Sequence, residues 1–110
     1  MATNGKSLEK DLRRVVDRLV ERFDPERIIL FGSHARGQAG SDSDIDLLVV
    51  MPVDGSKRAK QLEVRMSLPD TAASVDVIVT RPEDYLWRKE VVGTIEWPAA
   101  HEGRVLHARA

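Results

Sequence analysis

Cysteine is absent from the 110 residues, which excludes disulfides and thiolate metal sites. Aromatic side chains are scarce, with two Trp, one Tyr and two Phe, and Tyr85, Trp87 and Trp97 place most of them near the C-terminal end. Neither sign of charge prevails: the net charge of -1 supplies no overall attraction to nucleic acid or to an anionic membrane. No apolar run approaches the ~20 residues that a membrane helix needs. Met1 to Lys6 are small and polar, without the apolar centre of a signal peptide, so a cytoplasmic protein is expected. Internal repeats and low-complexity segments are also missing.

What is present is an ordinary globular balance, with 42% apolar and 32% charged residues. The length suits a single domain spanning 1–110, with residues 1–6 expected to be disordered and about 60–70% of the unfolded surface available for burial. After Ser7, a candidate N-cap, Leu8, Leu12, Val15, Val16, Leu19, Val20 and Phe23 recur every three or four positions and predict an amphipathic helix. Asp24-Pro25 ends it, because a residue before proline is pushed out of the α region. Ile28 to Phe31 reads as a buried strand and Asp44 to Met51 as a second. Pro52 to Gly55 is turn chemistry. Ser56 then caps a second helix, with Ala59, Leu62, Met66 and Val64 expected inward. Ala73 to Thr80 is a third strand. A helical tail follows from Arg81, with Tyr85, Leu86, Val91, Val92 and Ile95 as its apolar positions. Pro98 is expected to break or kink it, and Gly103 to His107 to form a short last strand. The short link between the first two strands predicts antiparallel neighbours, and the helix between the second and third predicts a parallel crossover. The fold class is therefore α+β, a small mixed sheet flanked by helices.

Two aspartates stand in a sequence that otherwise reads as strand. Side chains alternate across a strand, so Asp44 and Asp46 share one face. Asp is disfavoured there, and like charges at close range repel. A hard divalent cation relieves that conflict, and magnesium carried by a triphosphate fits best. Asp76 is a lone carboxylate in the third strand. If that strand lies beside the second, Asp44, Asp46 and Asp76 form the protein half of a two-metal phosphoryl-transfer site, in which the third carboxylate can also accept a proton. The plainer alternative makes Asp44 a cap at the strand entrance and Asp76 an exposed residue on an edge strand. Asp42, between Ser41 and Ser43, is assigned to the loop.

Gly32 follows the first strand directly. A bare glycine admits close approach of a phosphate to the backbone, and the amides of the following turn attract anions. Ser33 can donate a hydroxyl proton to a phosphate oxygen, and Arg36 lies one turn on. A strand ending in Gly-Ser is usually only a turn; its weight here comes from standing one hairpin away from the carboxylates.

Gly32-Ser33, ten intervening residues and Asp44-Ile45-Asp46 resemble the signature of the polymerase-β-like nucleotidyltransferases. The fuller strings Gly32-Ser33-His34-Ala35-Arg36-Gly37 and Ser43-Asp44-Ile45-Asp46-Leu47 resemble the minimal nucleotidyltransferases of bacteria and archaea, including MntA-type antitoxins. The resemblance implies the polymerase-β-like nucleotidyltransferase fold, with Gly32 and Ser33 on the nucleotide phosphates. It implies further that Asp44, Asp46 and a third-strand carboxylate, which Asp76 fits, hold magnesium. It also implies ATP as substrate, two magnesium ions, and AMP transfer to a tyrosine of a partner HEPN-type toxin. No direct nucleic-acid contact and no membrane contact are expected.

Two other function classes remain open: a nucleotide-binding antitoxin that neutralises by contact alone, and a transferase for a small hydroxyl compound. The other polar and aromatic features carry less. His34, His101 and His107 are scattered. Lys57, Arg58 and Lys60 read as a solvated helix start, or as contacts to phosphates or to an acidic partner. Tyr85, Trp87 and Trp97 suit either a partner surface or packing of the tail onto the sheet.

Overall fold

The computed structural model describes residues 4–40 and 42–109, with side chains from Ser7 onward. Helix α1 (Asn4–Phe23) places Leu12, Val15 and Leu19 in the core. It begins ahead of the predicted cap, so Ser7 lies inside the helix and residues 4–6 belong to it. Nothing in Asn4 to Lys6 forbids helical geometry, and helix ends are the least fixed part of such a reading. The expectation of disorder for residues 1–3 falls outside the described residues. At the other end the Asp24 amide still reaches Val20 O, at 3.0 Å, but Asp24 itself turns left-handed, with φ of 48°. Proline at the next position closes the right-handed α region, and Asp is among the few residues that tolerate this alternative.

Strand β1 (Arg27–Phe31) pairs antiparallel with β2 (Ile45–Val50), opposing Phe31 to Asp46. Helix α2 (Lys57–Met66) crosses to β3 (Val75–Thr80), which runs parallel to β2 with Asp46 opposite Asp76. Strand β4 (Arg104–Ala108) closes the other side of β1, antiparallel and with an irregularity at Ile28/Ile29. The sheet order is β3-β2-β1-β4. Both predicted pairings of the first three strands hold.

Helices cover both faces. Ile28, Leu30, Ile45, Leu47, Val49, Val77 and Val79 pack with α1 and with Val64 of α2. Ile29, Leu48 and Val50 pack on the opposite face with Tyr85 of α3 (Pro82–Arg88) and Ala99 of α4 (Glu96–Glu102). Alternation explains why β2 is apolar almost throughout: it is the strand buried on both sides.

Two expectations about helical faces are corrected. In α2 only Val64 is buried, whereas Leu62 is 56% and Met66 78% exposed and Ala59 is exposed. The inward face is completed by long polar side chains, and Gln61 Oε1 accepts from the β3 amide of Val79 at 2.9 Å. This seals a backbone donor on the sheet's edge. In the tail, Tyr85 alone of the five proposed apolar positions is buried; Leu86, Val91, Val92 and Ile95 face outward. Pro98 breaks nothing. It lies in the first turn of α4, where an amide has no intrahelical acceptor to lose. The interruption comes earlier, around Gly93, with φ of 104°.

Helix α4 is anchored by a buried carboxylate. Glu96 accepts from Thr80 Oγ1 at 2.7 Å and from Arg88 Nε at 3.1 Å. Burial alone pushes its pKa up, but the Thr80 hydroxyl, its own amide and Arg88 outweigh burial and hold it below the ordinary value. Gly103 then lets the chain turn closely into β4, since a Cβ there would strike Ala99 O, Ile29 and Leu30 O.

Candidate active site

The site lies where β1 ends and the parallel strands β2 and β3 begin, on the sheet face that α3 and α4 cover further along. Gly32 leaves β1 with φ of 78°, a conformation glycine adopts freely. A Cβ at this position would collide with Asp46 Oδ2. Gly32 thus serves two purposes, the backbone turn and the close approach of a carboxylate. The chain then makes one helical turn: the amides of Ala35 and Arg36 donate to Gly32 O at 3.1 and 3.2 Å, and Gln38 N to Ser33 O at 2.9 Å. Among the described residues the amides of Ser33 and His34 reach no backbone acceptor, the condition for an anion-binding turn. His34 Nε2 donates to Ser43 O at 3.1 Å and fastens this turn to the loop entering β2.

The three carboxylates differ. Asp46 is half-buried beside Gly32. Burial raises its pKa first, followed by the charges of Asp76 and Asp44, while His34 and Arg36 pull it back. Asp76 is its register partner on β3, half exposed, with Oδ1 accepting from Arg65 Nη2 at 2.8 Å. Asp44 is exposed and stands one residue before β2 rather than inside it, a correction to the predicted strand boundary. It stands at the strand entrance, and its negative charge helps raise the Asp46 pKa. Asp76 likewise lies on an edge strand and also beside Asp46. Arg36 donates to Gln38 Oε1 at 3.2 Å and stands 3.8 Å from Glu102. Asp42 is exposed in the loop turn, as expected.

Among the described residues no three His, Asp or Glu side chains converge as a finished metal cage. The donor set nevertheless suits a hard cation. Asp46 accepts no side-chain hydrogen bond among the described residues, its charge is disfavoured by burial and by two like neighbours, and Asp44 and Asp76 are exposed enough to reorient. Asp44, Asp46 and Asp76 would hold such an ion. Sequence reasoning missed Arg65, Gln38 and Glu102. Arg65 stands eleven positions before Asp76, so only the packing of α2 against β3 reveals the pair.

Residues 12–97 match the nucleotidyltransferase domain model, and the chain belongs to that family of group-transferring enzymes. A candidate protein adenylyltransferase of Methanocaldococcus jannaschii is 44% identical over 48 residues, a segment covering 42% of this chain and 48% of that protein. The chain therefore aligns with about half of the curated relative's length. A crystal structure of a candidate nucleotidyltransferase from Sulfolobus solfataricus superposes with a TM-score of 0.62 at 22% identity, over 99% of this chain and 93% of that one. A toxin–antitoxin crystallised with AMP-PNP superposes with a TM-score of 0.55 at 20% identity, over 89% of this chain and 73% of that one. At such identities these two establish the fold.

Proposed function

We propose that the chain transfers AMP from magnesium-bound ATP to a hydroxyl on a partner protein, a tyrosine of a HEPN-type toxin, and so acts as an antitoxin in the cytoplasm. The observation that carries the reading is the placement of Asp46 against Gly32 on one side and in register with Asp76 on the other. Gly32, Ser33 and Arg36 bind the triphosphate, the first two through the turn's backbone and hydroxyl, the last through its guanidinium. Asp44, Asp46 and Asp76 would hold the magnesium, two ions in the full site, which would neutralise developing charge on the phosphates. The acceptor oxygen forms a bond to the α-phosphorus, the α–β bridging bond breaks, pyrophosphate leaves, and Asp76 accepts the acceptor's proton.

Leu86, Trp87, Val91, Val92 and Ile95 are exposed on α3 and the segment after it. A cluster of this kind suits a protein partner that carries the hydroxyl. The relatives' names support the same direction: one is described as a protein adenylyltransferase and one structure as a toxin–antitoxin.

The same exposed apolar residues also suit a second reading, a nucleotide-binding antitoxin that neutralises by contact alone. One experiment separates the two. The chain is incubated with ATP, magnesium and the product of the adjacent gene, and the partner is examined by mass spectrometry. Transfer predicts an added AMP on a partner tyrosine, lost in the Asp44→Asn/Asp46→Asn double variant. Undiminished neutralisation by that variant would establish contact alone.

A further inference from the structure

Arg65 reaches the site from outside its sequence motifs. It sits in the last turn of α2 and donates to a single oxygen of Asp76, Oδ1, at 2.8 Å. Both side chains are about half exposed, at 48% and 52%. Ion pairs so placed are held weakly and exchange readily. Asp76 is in register with Asp46, so a cation shared by these carboxylates competes directly with the Arg65 guanidinium for Asp76. A displaced guanidinium remains tethered at the site's edge with five donors. Its planar fork matches phosphate oxygens as well as it matches a carboxylate. The opposite wall repeats the pattern. Arg36 on the phosphate turn is engaged with Gln38 and Glu102, contacts that are also exposed and exchangeable.

We propose that Arg65 is an exchangeable counter-cation and triphosphate-binding residue: it pairs with Asp76 in the resting chain and passes to the triphosphate oxygens when cation-bound nucleotide enters. This rests on the reading of Asp44, Asp46 and Asp76 as the cation site. The exchange keeps positive charge next to Asp76 before loading and supplies it to the nucleotide afterwards. It therefore has opposite effects on two ligands. Arg65 weakens binding of a bare cation and strengthens binding of a triphosphate.

The full chain and its Arg65→Gln, Arg65→Lys and Asp46→Asn variants are titrated with Mn2+ alone, by calorimetry, and with a fluorescent ATP analogue in magnesium. Thermal melts check that each variant folds. Arg65→Gln is expected to bind Mn2+ about two- to fivefold more tightly and the analogue about tenfold more weakly. Arg65→Lys should fall between parent and Arg65→Gln in both titrations. Unchanged or weaker Mn2+ binding by Arg65→Gln overturns the exchange, as does unchanged analogue affinity. Undiminished Mn2+ binding by Asp46→Asn overturns the cation-site reading itself, and the proposal with it.

Discussion

At the scale of single residues, the site's tension concentrates where Gly32 faces Asp46. Gly32→Ala adds a methyl that strikes Asp46 Oδ2 and imposes a left-handed conformation on a residue with a side chain. We expect chemical denaturation to show a loss of about 1–3 kcal/mol, and nucleotide titration to show no binding. Asp46→Asn should act in the opposite direction on stability. Because burial, Asp76 and Asp44 raise the Asp46 pKa above 3.8, the folded chain holds that proton more tightly than the unfolded one. The penalty on folding therefore appears as pH rises past 3.8 and is complete above the raised folded value. At neutral pH the variant should be more stable than the parent, with the gain vanishing in melts run well below pH 4. Divalent-cation binding should be lost at the same time. Gly32, Ser33 and the aspartate pair were legible because their chemistry sits in short, covalently fixed spacing. Arg65 was not, because a long side chain finds its partner through packing between a helix and a strand.

At the scale of elements, α2 shows how periodicity misleads when apolar residues lie on two sides of a short helix. Ala59, Leu62 and Met66 form a consistent stripe, yet that stripe faces solvent, and Val64 alone enters the core. Polar Gln61 takes an inward place because β3 needs an acceptor at its edge, a demand no helical pattern reveals. Val64→Ala should lower stability by about 2–3 kcal/mol, while Met66→Ala stays within about 0.5 kcal/mol; urea midpoints of the two variants decide the face. The tail was misjudged for a related reason. Its one buried charged residue, Glu96, does the anchoring expected of apolar side chains. Thr80→Val removes its hydroxyl donor and should cost about 1–3 kcal/mol in urea denaturation. Since the folded pKa of Glu96 is lowered, its contribution is fully present above the unfolded value of 4.5 and lost as pH falls through the lower folded value. The deficit of Thr80→Val should accordingly narrow in strongly acidic melts.

At the scale of the whole molecule, the carboxylates and the turn after Gly32 share one end of the sheet. Loop lengths were enough to order β1, β2 and β3, because a short link and a helical crossover each permit few arrangements. They could not say that β4 returns to the far side of β1, a pairing between residues distant in sequence. If the exposed apolar residues after α3 receive the partner, Val92→Glu should abolish partner pull-down while leaving nucleotide titration unchanged. The placement of β4 also governs how the molecule comes into being on the ribosome. Strand β1, from which the Gly32 turn hangs, is made early but stays an edge until residues 104–108 emerge and pair with it. Pairing over so long a separation is slow. A nascent chain stalled before Arg104 should remain sensitive to protease and unable to retain nucleotide, as expected if the Gly32 end of the sheet matures only after β4 has been synthesised.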